Sequence, residues 1–137
     1  MQRIPINPSE WGLAYGMNQA EIVDGVTRYL HCSGQTSLVA DDSEPMGVAV
    51  TYAGNLAGQM AAALANIDDL LETANMDRTN LLSLRFYTTD VDAFLEHYEI
   101  YANWIGEAEV MPPQSLLGVA RLALPDLLVE IEALAGA

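Results

Sequence analysis

The sequence predicts an α+β fold in which a mixed sheet is covered on one face by two helices. Apolar residues recur every three or four positions in two segments, about residues 55–75 and 91–105, which is typical of amphipathic helices. Apolar and polar residues alternate between and after these segments, which is the pattern of strands. Helices and strands in this order are expected to pack as two layers around one core.

The length and composition predict a single domain spanning residues 1–137. Hydrophobic residues make up 51% of the chain, which is enough for one compact core, and no repeat or flexible linker divides it. No run of 18 apolar residues occurs, and the first residues lack the basic and hydrophobic pattern of a signal peptide. The single cysteine, Cys32, excludes an internal disulfide. A cytoplasmic protein without a membrane span is expected.

The N-terminal part of the chain is predicted to contain a β-hairpin. Residues 21–23 and 26–32 favour strands, and Asp24 and Gly25 between them tolerate the positive φ angles of a tight turn. The motif Ser33-Gly34-Gln35 follows the second of these strands. The segment from there to Gly47 is rich in acidic and turn-forming residues and is predicted to be a polar loop.

The middle of the chain predicts a helix followed by a strand. Between residues 55 and 75 one apolar stripe is formed by Leu56, Met60, Ala63, Leu64, Ile67, Leu70, Leu71 and Ala74. In the strand predicted over residues 81–88, one face is expected to carry the apolar residues Leu82, Leu84 and Phe86, and the other face Ser83, Arg85 and Tyr87.

The C-terminal third predicts a second helix and two further strands. Asp90 can cap a helix over residues 91–105, and strands are expected over residues 115–122 and 128–134. Leu116-Leu117 and Leu128-Val129 place apolar side chains on both faces of these strands. Two helices cover only one face of the sheet, so the other face is expected to meet another subunit.

The charge balance excludes several classes of function. Nineteen acidic residues oppose five basic ones, which gives a net charge of -14, and all five basic residues are arginine. A field of this sign repels phosphate backbones and anionic lipids, so neither nucleic acid nor a membrane surface is an expected partner. Without lysine, Schiff-base catalysis and a Walker-type phosphate loop are also excluded.

Few residues indicate catalysis by their pattern alone. Glu130 and Glu132 alternate with apolar residues on a predicted strand, and a solvated strand face explains both as well as a catalytic carboxylate does. His31 and His97 lack a partner at metal-ligand spacing, so neither a metal nor a cofactor is expected. Cys32 is expected to be a small buried hydrophobe, and Trp11 and Trp104 are expected to be packing residues.

Several motifs together resemble those of the RidA/YjgF family of enamine and imine deaminases. They are Ser33-Gly34-Gln35, Asp90-Val91-Asp92-Ala93-Phe94, Pro112-Pro113-Gln114-Ser115 and Leu128-Val129-Glu130-Ile131-Glu132-Ala133. The similarity extends from about Tyr15 to the C-terminus. It implies a homotrimer in which the sheets pack around a central barrel, with ligand sites in the clefts between subunits.

The resemblance also implies roles for individual residues. Tyr15 matches a tyrosine that flanks the ligand cleft, and Ser33 and Gly34 match the segment after the second strand that contributes to substrate binding. Glu130 matches the glutamate that orients the attacking water in the deaminases. Glu132, the second acidic residue of this motif, is expected to be structural.

The Pro112–Ser115 segment departs from the family pattern at its most informative position. The family usually has an arginine that grips a substrate carboxylate, and this sequence has Gln114 there. Ser115 and Leu116 are expected to line the same cleft, with Leu116 in place of a threonine or cysteine. Pro113 replaces an alanine, and Tyr98 stands where many members have asparagine.

Two functions are consistent with this pattern. The first is hydrolysis of an imine, enamine or related small metabolite that is not held by its carboxylate, because glutamine lacks the charge and the two-pronged grip of arginine. The second is a trimer that binds a small molecule or a partner protein without catalysis. RNA cleavage ranks third because of the net charge of -14. Arg85 or Arg121 is a candidate replacement for the missing arginine.

Overall fold

The computed structural model describes all residues from 1 to 137. Four strands form the main sheet in the spatial order β3-β8-β6-β7, in which β6 and β7 are parallel and the other neighbours antiparallel. The predicted α+β fold with a mixed sheet is therefore confirmed. In chain order the elements are β1 (Gln2–Ile6), β2 (Ala20–Asp24), β3 (Tyr29–His31), β4 (Leu38–Ala40), β5 (Val48–Val50), α1 (Leu56–Thr73), β6 (Leu81–Thr88), α2 (Val91–Glu96), α3 (Glu99–Gly106), β7 (Gln114–Gly118) and β8 (Val129–Gly136).

Helix α1 lies on one face of the sheet, as its apolar stripe predicts. Asn55 caps its first turn, since the side-chain oxygen accepts a hydrogen bond of 2.9 Å from the N–H of Gly58. The stripe packs against the alternate residues of β8 that face the helices, Val129, Ile131, Ala133 and Ala135. Seventeen buried apolar residues form this core, and each large one contributes about 1.5–3 kcal/mol. None of the helices combines the length and apolar character needed to cross a bilayer.

The single helix predicted over residues 91–105 is two helices, α2 and α3. Asp90 caps α2 as predicted, accepting a hydrogen bond of 3.0 Å from the N–H of Ala93. At the end of α2, His97 and Tyr98 donate to carbonyl groups three residues earlier instead of four. This tighter turn interrupts the helix, and α3 then continues the same apolar stripe. The interruption lies next to Tyr98, which belongs to the candidate site described below.

Strand β6 has the predicted bounds but carries a bulge that the alternation does not indicate. The register with β8 shifts between Leu81 and Ser83. As a result Leu81, and not Leu82, joins Leu84 and Phe86 in the core. Leu82 lies over the backbone of β8, where a Cβ added to Gly136 would be 2.9 Å from its methyl group. One residue was thus assigned to the wrong face because a bulge changes the parity of the strand.

The predicted hairpin at Asp24-Gly25 is wrong in its pairing. Gly25 has a positive φ of 77°, as the turn signal indicates. However, β2 pairs with β1 at the N-terminus, and β3 pairs with β8 at the C-terminus. A turn motif specifies local backbone geometry, whereas partner choice depends on strands that are distant in sequence.

Two other boundaries differ from the prediction. The segment predicted to be a polar loop up to Gly47 contains strand β4 and an acidic turn, and β4 pairs with β5, which begins directly after the segment. The strand predicted over residues 115–122 is β7, which begins at Gln114 and ends at Gly118. The parallel pairing with β6 ends at Thr88, so residues beyond Gly118 have no strand partner.

An ion pair joins β1 to β2, and its arginine attaches the two strands to the rest of the domain. Arg3 contacts Glu21 at 2.8 Å, and the Glu21 side chain is only 3% exposed. The same guanidinium donates to the carbonyl groups of Thr79 at 2.6 Å and Leu81 at 2.5 Å. The side chain of Asn18 completes the environment of Glu21 by donating to it at 2.9 Å. A single arginine therefore connects the two strands to the start of β6.

Replacement of Arg3 by methionine is expected to lower the free energy of unfolding by about 2–4 kcal/mol, because it leaves the Glu21 carboxylate buried without its cation. Urea denaturation followed by circular dichroism measures this loss. The double variant Arg3→Met, Glu21→Gln removes the stranded charge and should recover most of it. A double variant as unstable as the single one would contradict this explanation.

Candidate functional site

A groove of about 500 Å³ lies on the helix side of the sheet, beside strand β7 and helix α2. The 3₁₀ turn Trp11–Tyr15 forms one of its walls. No charged side chain lines it, and eight of its nine lining residues are hydrophobic. The lining residues are Trp11, Tyr15, Met17, Phe86, Phe94, Leu95, Tyr98, Gln114 and Leu116.

Local backbone features hold the aromatic wall of the groove in place. The 3₁₀ turn ends at Gly16, whose φ of 72° is the left-handed conformation that glycine adopts without strain. The N–H of Asn18 then donates to the carbonyl oxygen of Met111 at 2.8 Å. This bond connects the segment after the turn to the loop that precedes β7. The groove is thus built from segments almost one hundred residues apart in sequence.

Three groups that are linked by hydrogen bonds form the polar side of the groove. Gln114 Nε2 donates to the hydroxyl of Tyr98 at 2.5 Å, and that hydroxyl donates to the carbonyl oxygen of Tyr15 at 2.5 Å. Burial raises the pKa of Tyr98, so its hydroxyl keeps its proton at neutral pH. Gln114 Oε1 is buried and accepts no hydrogen bond. The Gln114 amide therefore presents an acceptor without a partner, whereas an arginine at this position would present only donors.

Glu130 lies on the opposite face of the sheet. Its side chain packs against Gly34, where an added Cβ would be 2.5 Å from the carboxyl carbon. Only glycine at this position permits the contact. The carboxylate accepts no hydrogen bond within the chain, and partial burial, together with the nearby charge of Glu132, raises the pKa of Glu130. A raised pKa and free lone pairs are the properties of a carboxylate that can accept a proton from water.

Glu132 has a different environment from Glu130. The Tyr87 hydroxyl donates a hydrogen bond to its carboxylate, and Arg85 lies opposite it on the neighbouring strand. Unlike Glu130, Glu132 therefore has a hydrogen-bond donor and a facing arginine within the chain. Arg85 is exposed on this face, away from Gln114, and the Arg121 guanidinium donates to the carbonyl groups of Leu122 and Ala123 at 3.2 and 3.4 Å. Neither arginine lines the groove.

The predicted site residues fall into two groups. Tyr15, Gln114 and Leu116 lie together in the groove on the helix side. Glu130 and Gly34 lie together on the other face, with Ser33 adjacent and exposed. Ser115 alternates with Gln114 and Leu116 along β7, so it points to the Glu130 face next to Arg85. A single chain does not bring the two groups into one site.

Sequence reasoning missed several residues of the groove. Trp11, expected to be a packing residue, lines the groove and is 61% exposed. Met17 and Phe94 also line it, and Tyr98 fixes the orientation of Gln114. The rings of Trp11 and Tyr15 are brought to 6.3 Å between centroids by the 3₁₀ turn, which no pattern in the sequence indicates. Trp104 is partly buried and packs against the core, and its ring N–H donates to Asp68 at 2.9 Å.

The structure contains no group of three or more His, Cys, Asp or Glu side chains that could hold a metal ion. Cys32 is half-buried, and burial raises the pKa of its thiol, which disfavours the reactive thiolate. His31 lies on the adjacent position of the strand and therefore on the opposite face. The candidate chemistry thus rests on the Glu130 carboxylate and the groove.

The sheet topology, the helices on one face and the two residue groups define an α+β protein with the fold of Rid and YjgF proteins. The chain belongs to the family described as Endoribonuclease L-PSP, whose sequence model matches residues 17–137. The resemblance noted in the motifs is thereby confirmed at the level of the family.

Three similar proteins illustrate the range of this family. The crystal structure of YyfB, a Rid family protein of unknown function from Yersinia pestis, has 28% identity and a TM-score of 0.83, with full coverage of both chains. A RutC family protein of Aquifex aeolicus is 35% identical over 77 residues, which span 56% of this chain and 61% of that relative. Protein mmf2, mitochondrial, of Schizosaccharomyces pombe is 24% identical over 98% of both chains.

Proposed function

We propose that the protein hydrolyses a reactive imine, enamine or related small metabolite that is not anchored by a carboxylate. The observation that carries this proposal is the Glu130 side chain. It packs against Gly34, accepts no hydrogen bond from the chain and has a raised pKa. The composition of the groove, which lacks any charged side chain, supports the second part of the proposal.

The chemistry requires little more than a placed water and a carboxylate. Glu130 takes a proton from water as the oxygen attacks the electrophilic carbon of the C=N group. The protonated carboxyl group then gives this proton to the nitrogen, which completes a carbinolamine. A second transfer through Glu130 moves the hydroxyl proton of the carbinolamine to the nitrogen, the C–N bond breaks, and a carbonyl compound and ammonia are released. Glu130 thus acts first as general base and then as general acid. Positioning of the substrate against this water supplies the rest of the rate enhancement.

Gln114 makes a 2-imino acid a poor substrate. A carboxylate bound by arginine receives two parallel charge-assisted hydrogen bonds. Gln114 has a single NH₂ group, and this group already donates to Tyr98. No other cation lines the groove to replace it. A substrate with an apolar body fits the lining better than a small anionic one.

The two residue groups require an assembly if they belong to one site, and we propose the homotrimer that the family resemblance implies. Glu130 and the groove lie on opposite faces of the sheet, so one copy would supply the groove and its neighbour the carboxylate. The Glu130 face carries exposed apolar side chains suited to such contact, among them Tyr29 at 58% and Leu117 at 41% exposure.

A second candidate function is a trimer that binds a small molecule, or docks on a partner protein, without catalysis. The apolar groove with Leu116 and the missing arginine favour this alternative. RNA cleavage is not proposed, because a net charge of -14 and the absence of lysine oppose phosphate binding.

We propose a cytoplasmic location, because a single cysteine suits a reducing compartment. A fluorescent fusion would distinguish this location from the mitochondrial one in the name of the mmf2 relative.

The purified protein is expected to release ammonia from imines with apolar substituents and no carboxylate, and to do so with higher kcat/KM than from enzymatically generated 2-aminoacrylate. An amino-acid or amine oxidase generates each imine, and a coupled glutamate dehydrogenase assay follows ammonia. Spontaneous hydrolysis without the protein is the baseline. Ligand binding by calorimetry without any acceleration over this baseline would instead support the non-catalytic alternative.

A further inference from the structure

We infer that the groove takes its ligand as an organic cation, a protonated imine or amine with an apolar body. This inference rests on the proposed function and names the substrate class of the same site. Three independent features of the groove carry it: the arrangement of its aromatic rings, the unused acceptor of Gln114, and the absence of any cationic side chain from its lining.

Three aromatic rings form adjacent walls of the groove. The ring centroids of Trp11 and Tyr15 are 6.3 Å apart with an interplanar angle of 66°, and those of Tyr15 and Tyr98 are 6.3 Å apart at 75°. Steeply inclined rings present faces and edges in several directions around one space. Aromatic faces attract ammonium groups, and cages of this kind recognise organic cations in proteins.

The free acceptor of Gln114 adds a directional preference. The only proton of the Tyr98 hydroxyl goes to the carbonyl oxygen of Tyr15, so this hydroxyl can only accept from Gln114. The amide must therefore present its NH₂ group to Tyr98, which leaves Oε1 without a partner. A ligand N–H can supply the missing donor after a small rotation about the last side-chain torsion, which has a broad energy minimum.

The electrostatic environment favours the same charge. None of the nine lining residues is charged, and the chain as a whole carries a net charge of -14. A carboxylate entering this groove would be desolvated without a counter-charge, whereas a cation would gain from both the rings and the surrounding field.

Protonation of the substrate also suits the reaction. A protonated imine has a more electrophilic carbon than the neutral form, so the attack by water is easier. The balance is one iminium ion and one water giving one carbonyl compound and one ammonium ion. Glu130 moves both water protons to the nitrogen, one after the carbinolamine forms and one as it breaks down. The groove would thus stabilise the reactive protonation state as well as bind the apolar body.

Benzylammonium and phenylacetate test this inference, since they share a benzyl group and differ in the sign of their charge. Calorimetric titration in 0.5 M NaCl suppresses the long-range field and leaves the contacts in the groove. Benzylammonium is expected to bind the wild-type protein about tenfold more tightly than phenylacetate, the difference that cation–π contacts in a partly desolvated site provide. Equal or tighter binding of phenylacetate, or no binding of benzylammonium, would overturn the inference.

Three variants test whether the groove is the source of the preference for benzylammonium over phenylacetate. Gln114→Arg should reverse it in favour of phenylacetate, and Tyr15→Leu should reduce it by removing a ring while keeping an apolar side chain. Glu72→Gln, which removes one exposed acidic charge on α1 outside the groove, should leave it unchanged. Loss of the preference in this variant would mean that surface charge, and not the groove, selects the cation, which would also overturn the inference. Failure of the proposed hydrolysis is read separately, from ammonia release.

Discussion

Replacement of Glu130 by glutamine is expected to lower kcat/KM for ammonia release by about 10²- to 10⁴-fold, the contribution of a general acid–base group. Glutamine keeps the shape of the side chain and its contact with Gly34, but it cannot accept a proton from water. The loss should appear in kcat, while ligand affinity in the groove stays the same. Steady-state ammonia release from an apolar imine measures the first quantity and calorimetry the second.

The pH profile provides a second readout of the same role. Catalysis requires the ionised Glu130 carboxylate, so activity should fall as the pH decreases through its pKa. Burial and the charge of Glu132 raise this pKa, and the fall should therefore begin at a higher pH than for an ordinary glutamate. Glu132→Gln removes the like charge and should move the acid limb to lower pH. If the acid side of the pH–activity profile did not shift in Glu132→Gln, a group other than Glu130 would be responsible for the fall in activity.

Hybrid oligomers test whether Glu130 acts across a subunit boundary. Leu116→Trp fills the groove with a bulky ring, and Glu130→Gln removes the base, so each variant alone should be inactive. When the two are mixed and reassembled in equal amounts, about a quarter of the clefts of a cyclic trimer combine an intact groove with an intact glutamate. Activity near that fraction would support the intersubunit site. Hybrids as inactive as their parents would contradict it.

The elements with strong local patterns could be predicted from the sequence. The apolar stripe of α1, the bounds of β6 and the capping residue Asp90 all have local physical causes, and the structure confirms each of them. The pairing of β2 and β3 could not be predicted in this way. It depends on β1 and β8, which lie at the two ends of the chain, and a turn signal carries no information about distant partners.

The candidate site was predictable as a set of residues but not as a geometry. The motifs identified Glu130, Gly34 and Gln114, yet nothing in their spacing indicates that Gln114 and Glu130 lie on opposite faces of the sheet. The face of each residue depends on strand parity, and β7 and β8 run on either side of β6. The expectation that Trp11 packs rests on the net charge of -14, which argues against a surface for stacking nucleic-acid bases, whereas here a short 3₁₀ turn holds it in the wall of the groove.

Replacement of Gln114 by arginine is expected to raise kcat/KM for 2-aminoacrylate by about 10- to 100-fold, the value of one or two charge-assisted hydrogen bonds. The new guanidinium would enter the groove beside Tyr98 and Leu116, where it would bind the substrate carboxylate that the wild-type amide cannot hold. The gain should appear mainly in KM. The coupled ammonia assay with freshly generated 2-aminoacrylate measures it.

Gln114→Lys is the matched control for this experiment. It introduces the same charge without the planar fork of arginine, so it should produce a smaller gain. Both variants should weaken hydrolysis of apolar imines, because a cation in the groove repels a protonated substrate. If Gln114→Arg folds, as judged by circular dichroism, and gains nothing, then a carboxylate grip is not the only missing element. If the wild-type protein also fails to hydrolyse apolar imines, binding without catalysis would be the better description of this protein.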